Sequence, residues 1–214
     1  MVVFVIMFAI FYLPISIFFP TWVIHKERLP RKKKCIATSN HYSNLDPLIY
    51  NFRFFTRFRF MAKKELFKTK IGAWFFRCLA AYPVDRNQIT PTVYKKTLSE
   101  LNDNKQVFIF PEGTRNKSGD EESMGDVKTG IITFASKGDA EIVPMLIYRR
   151  PRFFRRNYII VGEPFKVEGE NPKRLTPEEV QSNIERYSNI MNDLRHELDE
   201  FIANKKRKKN HKKV

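Results

Sequence analysis

Gln106-Val107-Phe108-Ile109-Phe110-Pro111-Glu112-Gly113-Thr114-Arg115 is the stretch that decides the fold. Residues 106–110 are an apolar run that reads as a central strand. The run delivers Pro111 to Arg115 at its C-terminal end, which is where ligands bind in open α/β sheets. Outward from it, residues 142–148 and 157–161 read as two more strands, and 35–38 as a short buried one. Arg57-Phe58-Arg59-Phe60-Met61 alternates, as a half-buried strand does. Residues 82–86 form a strand or loop end. Between these runs lie helical patterns at 47–55, 63–67, 72–81, 92–102 and 126–137. A last helix opens at Thr176-Pro177-Glu178-Glu179, with a capping residue and Pro at the first position. Its stripe is Val180, Ile184, Tyr187, Met191, Leu194, Leu198 and Phe201. Strands alternating with helices predict an α/β domain, a central mixed sheet flanked by helices.

A second stretch supplies chemistry: Ser39-Asn40-His41-Tyr42-Ser43-Asn44-Leu45-Asp46-Pro47. On one helix His41 and Asp46 would diverge by about 500° of rotation. In an extended chain they would stand about 16 Å apart. They meet only if the chain turns between them. Ser43-Asn44 is turn chemistry, and Asp46-Pro47 is a helix start with Asp at the cap. So His41 is expected in a loop and Asp46 at a helix N-terminus. There Asp46 accepts from one imidazole nitrogen and leaves the other as a general base.

The 214 residues suffice for one domain with a real core. Lys and Arg number 39 against 23 acids, a net charge of +16. That excess calls for an anionic partner: a phospholipid surface, a phosphorylated substrate or a nucleic acid. Cys35 and Cys78 make no disulfide framework and read as buried thiols. His25, His41, His196 and His211 lack ligand spacing, so no metal site is expected. Residues 1–24 are almost all apolar and carry no charge, matching the ~20 residues of a bilayer crossing. Pro14 and Pro20 allow a kinked span, or a helix ending near Leu13 and a second segment in the interface. The basic flank at 25–34 should face the cytoplasm and anionic lipid. Residues 1–34 are therefore expected as a membrane-associated hydrophobic helical segment with a basic flank. Residues 35–204 would form the α/β domain and 205–214 a disordered basic tail. Residues 149–156 carry five arginines and two phenylalanines, either a solvated loop or a basic-aromatic patch on a headgroup surface.

His41-x4-Asp46 followed by Phe110-Pro111-Glu112-Gly113-Thr114-Arg115 resembles the glycerolipid acyltransferases of the lysophosphatidic acid acyltransferase (PlsC-like) family. Tyr82-Pro83-Val84-Asp85-Arg86 and Val143-Pro144 look like that family's second and fourth blocks, and the resemblance covers roughly residues 35–165. It implies transfer of an acyl group from acyl-CoA or acyl carrier protein to lysophosphatidic acid, with no cofactor and no covalent acyl-enzyme. His41 would be the base and Asp46 its orienter, half of a triad's logic. Arg86, Arg115 and Lys128 would grip the acceptor's phosphate. Gly113 would let the backbone approach, with Thr114 in the same turn. Glu112 repels phosphate, so it would position Arg115, Lys128 or the acceptor hydroxyls. Pro144, with Val143, would shape the acyl side. The oxyanion donor stays open between backbone amides at 40–43 and side chains such as Asn44. The other partner implied is an anionic membrane surface, with the catalytic domain on the cytoplasmic face of the cell membrane. Where the family often has Gly or Phe ahead of the Asp-Arg pair, this chain has Pro83-Val84. That leaves glycerol 3-phosphate or another lysophospholipid as an alternative acceptor. A non-catalytic basic protein binding membrane or nucleic acid is the remaining alternative. No helix-turn-helix, zinc finger or RNA-binding aromatic motif supports a nucleic-acid partner, and none is expected.

Overall fold

A computed structural model describes residues 2–84, 90–116 and 127–211, with side chains for 9–84, 90–116 and 127–208. The chain runs α1 (Val2–Phe18), β1 (Thr21–Ile24), β2 (Cys35–Ser39), α2 (Asp46–Phe54), β3 (Arg59–Lys63), α3 (Lys70–Cys78) and β4 (Tyr82–Val84). It continues with α4 (Pro91–Asn102), β5 (Gln106–Ile109), α5 (Gly130–Gly138), β6 (Glu141–Ile147), β7 (Asn157–Val161) and α6 (Pro177–His211). The seven strands lie in the order β1-β7-β6-β2-β5-β3-β4. β6, β2, β5, β3 and β4 are parallel. β7 is antiparallel to β6, and β1 is parallel to β7, so the sheet is mixed.

Both faces are covered, which is why every residue of β2 is buried. The pleat sends alternate residues to opposite sides. Ile36, Val107 and Ile142 pack with Leu101 of α4, Phe134 of α5 and Tyr187 of α6. Cys35, Ala37, Phe108 and Val143 pack with Ile49 and Tyr50 of α2 and Ile15 of α1. Burial, with a smaller push from Glu141, raises the Cys35 thiol to about 12, so this cysteine is inert filling.

α6 begins with a reciprocal cap: Glu179 N donates to Thr176 Oγ1 at 3.2 Å, and Thr176 N donates to Glu179 Oε2 at 2.8 Å. Tyr187, Met191, Leu194 and Leu198 are buried as their spacing suggests, but the stripe ends on Ile202 and Phe201 is exposed. The cause is geometric. A strict seven-residue pattern drifts about 20° per heptad on a straight helix, so the buried position moves one residue on. Leu198 is fully buried, and Leu198→Ala is expected to cost about 3 kcal/mol of stability, read by chemical denaturation.

Both ends differ in part from expectation, although the apolar N-terminal helix is present. Among the described residues no helix is long and apolar enough to cross a membrane. α1 has 17 residues, about 26 Å at 1.5 Å per residue, against a hydrocarbon core of about 30 Å. It does not stop near Leu13 but runs on through Pro14. Residues 21–24 are strand β1, paired with β7 from Thr21↔Asn157 to Ile24↔Ile160. α1 also packs on the domain: Ile15 and Phe19 are buried, and Phe11 meets Phe75 edge-on at 6.3 Å. Residues 205–211, expected as a disordered tail, continue α6. Helix propagation is easy once a packed segment has nucleated it, and cations suit a helix C-terminus. The expected surface loop at 116–125 lies outside the described residues except for Asn116.

Candidate active site

β2 carries the chain to the C-terminal end of the parallel strands, and Asn40 fastens it there. Its Nδ2 donates to the Ile147 carbonyl at 3.0 Å, and its Oδ1 accepts from the Ile147 N–H at 2.9 Å. The side chain thus imitates one more strand residue beside β6. Ser39 Oγ bonds Asn40 Oδ1 and the Tyr50 hydroxyl of α2, locking the corner. The next residue is His41.

After His41 the chain turns, with Asp46 N donating to Ser43 O at 3.1 Å and Leu45 N to Ser43 Oγ at 3.2 Å. α2 starts here, capped by Leu45, so Asp46 is the first helical residue rather than the cap. Asp46 points back into the turn. Its Oδ2 accepts from Tyr42 N at 2.8 Å, Ser43 N at 2.7 Å and His41 Nδ1 at 2.9 Å. An oxygen that already receives two backbone N–H groups is an acceptor for the imidazole too. Nδ1 therefore carries the proton and Nε2 keeps its lone pair. Asp46 is fully buried and His41 is nearly so, which concentrates the electrostatic interaction between them. The His41 ring stacks on Phe110 at 4.0 Å and 18°.

Phe110 belongs to the second motif, and the backbone ties the two together. Gly113 N donates to Phe110 O at 3.0 Å, closing a turn. Asn116 N donates to His41 O at 2.8 Å, and Lys128 N to Pro111 O at 3.1 Å. Gly113 has φ 67°, and a Cβ there would stand 2.8 Å from Lys128 Nζ. Glycine is thus favoured by the left-handed backbone, and a Cβ would in addition make the flexible end of Lys128 move aside. Gly113→Ala is expected to cost about 1 kcal/mol of stability through the backbone. It should also displace Lys128 and, with Lys128 gripping the acceptor's phosphate as the resemblance implies, raise the acceptor KM by about tenfold, more than it lowers kcat, in steady-state kinetics.

His41 stands at the wall of a cavity of about 310 Å³. Leu48, Phe60, Phe75, Phe76 and Leu79 give it an apolar lining, and Asn44, Gly113 and Lys128 stand on its wall with His41. Of the residues picked from sequence, His41, Gly113 and Lys128 line the cavity, and Asp46 stands behind His41. Thr114 is exposed and Arg115 half-buried on the same turn, outside the lining. Arg86 lies outside the described residues. Glu112 is buried. Burial raises the Tyr187 phenol, its bond to Thr38 opposes that, and the charge of Glu112 adds to it. Pro144 faces α6: a Cβ on Gly162 would wedge between Pro144 Cγ and Leu194 Cδ1, each at 2.9 Å. The Tyr42 and Ser43 amides, open as oxyanion donors on sequence, are taken by Asp46, whereas Asn44 lines the cavity. Asn40 went unread, because a polar residue at a strand end carries no local signal of its partner 107 residues away. The cavity lining from α3 and β3 was equally invisible in local pattern.

An apolar slot beside a buried His–Asp pair and a glycine turn with cations is the architecture of an acyl-transfer enzyme. The sequence profile of the Acyltransferase family matches residues 22–148, and the chain belongs to that family. It is 30% identical over 139 residues to the 1-acyl-sn-glycerol-3-phosphate acyltransferase of Borreliella burgdorferi, covering 64% of this chain and 54% of that protein. It is 32% identical over 149 residues to the enzyme of the same name from Bacillus subtilis, covering 66% and 72%. The chain thus spans about half the length of the first of these relatives. The crystal structure of PlsC, the 1-acyl-sn-glycerophosphate (LPA) acyltransferase of Thermotoga maritima, superposes with a TM-score of 0.62 at 22% identity, over 86% of this chain and 72% of that one. That likeness concerns the fold.

Proposed function

We propose that the protein transfers an acyl group from an acyl thioester, carried by coenzyme A or acyl carrier protein, to the free hydroxyl of 1-acylglycerol 3-phosphate, giving phosphatidic acid for phospholipid synthesis. The observation that carries this is that His41, with Asp46 on Nδ1, lines one cavity together with apolar side chains and the Gly113–Lys128 turn. One substrate offers a hydrocarbon chain and the other a phosphate next to a hydroxyl, and the lining of this one cavity has apolar side chains for the first and Lys128 for the second.

The acceptor hydroxyl oxygen attacks the thioester carbonyl carbon while His41 Nε2 takes its proton. Asp46 stabilises the imidazolium that forms. The tetrahedral adduct collapses with cleavage of the C–S bond, and the imidazolium returns the proton to the departing thiolate. Among the described residues, no Ser, Thr or Cys lines the cavity, which supports direct transfer without an acyl-enzyme. Lys128 and Arg115 hold the phosphate, with Arg86 joining them, and Thr114 completes the turn. The work takes place at the cytoplasmic face of the cell membrane, where the acceptor resides. The acceptor is tested by offering lysophosphatidic acid and glycerol 3-phosphate at equal concentration with one labelled thioester. Phosphatidic acid should dominate; a predominance of lysophosphatidic acid would assign the first acylation step instead.

A further inference from the structure

We infer that the β6–β7 loop is a membrane-docking element that sets the mouth of the His41 cavity against an anionic bilayer. Topology brings three segments to one end of the sheet. β6 runs parallel to β2, so the chain after Ile147 emerges at the end where His41 lies. β7 returns antiparallel from there. β1 is parallel to β7 with Thr21 opposite Asn157, so it starts at that end and α1 arrives there with its last turn. Phe154 N donates to Phe18 O at 2.7 Å and Asn157 N to Pro20 O at 2.8 Å, fastening loop to helix. Arg150 Nη2 donates to Asn116 O at 3.0 Å, and Asn116 N donates to His41 O at 2.8 Å. A single residue thus separates the loop from the catalytic turn.

The surface so made has the chemistry of a bilayer interface. Phe153 and Phe154 are 66% and 67% exposed, side by side. Phe154 holds φ 55°, a region that bulky L-residues rarely adopt, although no core packing rewards it. The Phe18 ring meets both at 5.9 and 5.4 Å, and exposed Ile17 and Leu13 extend the apolar stripe along α1. Arg152 and Arg155 are exposed beside the rings, and residues 149–156 contain no acid. Arg156 lies 5.6 Å from the centre of the exposed Trp22 ring, and Lys205 lies 5.3 Å from it. Apolar rings can enter the acyl boundary while arginines sit at phosphate level and a tryptophan at headgroup level. The one-signed charge around the rings, on a chain of net +16, favours an anionic lipid surface over a protein face.

Docking rests on the acyltransferase reading for its purpose, since acceptor and product are bilayer lipids, but it is measured as binding, without turnover. The full chain is sedimented with vesicles of phosphatidylcholine alone, or of phosphatidylcholine with phosphatidylglycerol. Wild type is expected on the anionic vesicles, less so as salt rises. Phe153→Ser/Phe154→Ser and, separately, Arg152→Glu/Arg155→Glu should each lower partitioning about tenfold. Turnover on detergent-dispersed substrate should stay near wild type for both. Phe153 also touches Phe19 at 4.8 Å, so Phe154→Ser alone serves as the milder variant and should give an intermediate loss with unchanged circular dichroism. Either double variant binding anionic vesicles as wild type does would overturn the proposal. So would a wild type that ignores both vesicle types, which would hand the patch to a protein partner.

Discussion

His41→Ala is expected to lower acyl transfer by at least about 10³-fold and leave the protein folded. In the proposed mechanism Nε2 is the base, on a ring that Asp46 and Phe110 hold at the cavity wall, and alanine offers no substitute. Asp46 would still accept from Tyr42 N and Ser43 N, so the turn keeps its shape. The lost ring stacking on Phe110 should cost no more than about 2 kcal/mol. Residual turnover would reflect positioning of the two substrates, which the variant retains. The check is single-turnover kinetics beside thermal unfolding. A His41→Ala protein with half the wild-type rate would remove the base from the mechanism.

Asp46→Asn should have the next largest effect, of a different kind. The amide can place its oxygen where Oδ2 stands and keep all three donors. Its Nδ2 then falls at the position of Oδ1, a buried atom with no hydrogen-bond partner. A buried donor left unpaired costs about 1–3 kcal/mol of stability. The negative charge that stabilises the imidazolium in the proposed mechanism is also gone, for an expected loss of about 10²-fold in turnover. His41→Ala thus loses rate with little stability, whereas Asp46→Asn loses both. Full activity in Asp46→Asn, with lowered stability, would confine Asp46 to holding the loop.

The central strands could be read from sequence because each is an apolar run bounded by turn residues and pairs with neighbours of the same kind, as β5 and β6 do with β2. The meeting of His41 and Asp46 was legible for a local reason: Ser43-Asn44 and Pro47 dictate a turn and a helix start within five residues. The N-terminus was not. A partly buried edge strand and an interfacial segment have the same composition, and only the pairing of β1 with β7 distinguishes them. The basic end of α6 misled for a related reason. Its own composition resists packing, but it grows from a helix pinned by Tyr187, Leu194 and Leu198. Pro144 sits in a motif position yet faces α6, because a strand's pleat alternates sides whatever the motif suggests. The cavity needed α2, β3, α3 and α5 together, which no window of sequence contains.

The most direct test of the whole account is the product. Purified protein is given a labelled acyl thioester and lysophosphatidic acid, with His41→Ala run beside it. Labelled phosphatidic acid from the wild type alone is the expected result. Acyl transfer by both proteins at equal rates, or none by the wild type to lysophosphatidic acid, glycerol 3-phosphate or another lysophospholipid with either donor carrier, would contradict it.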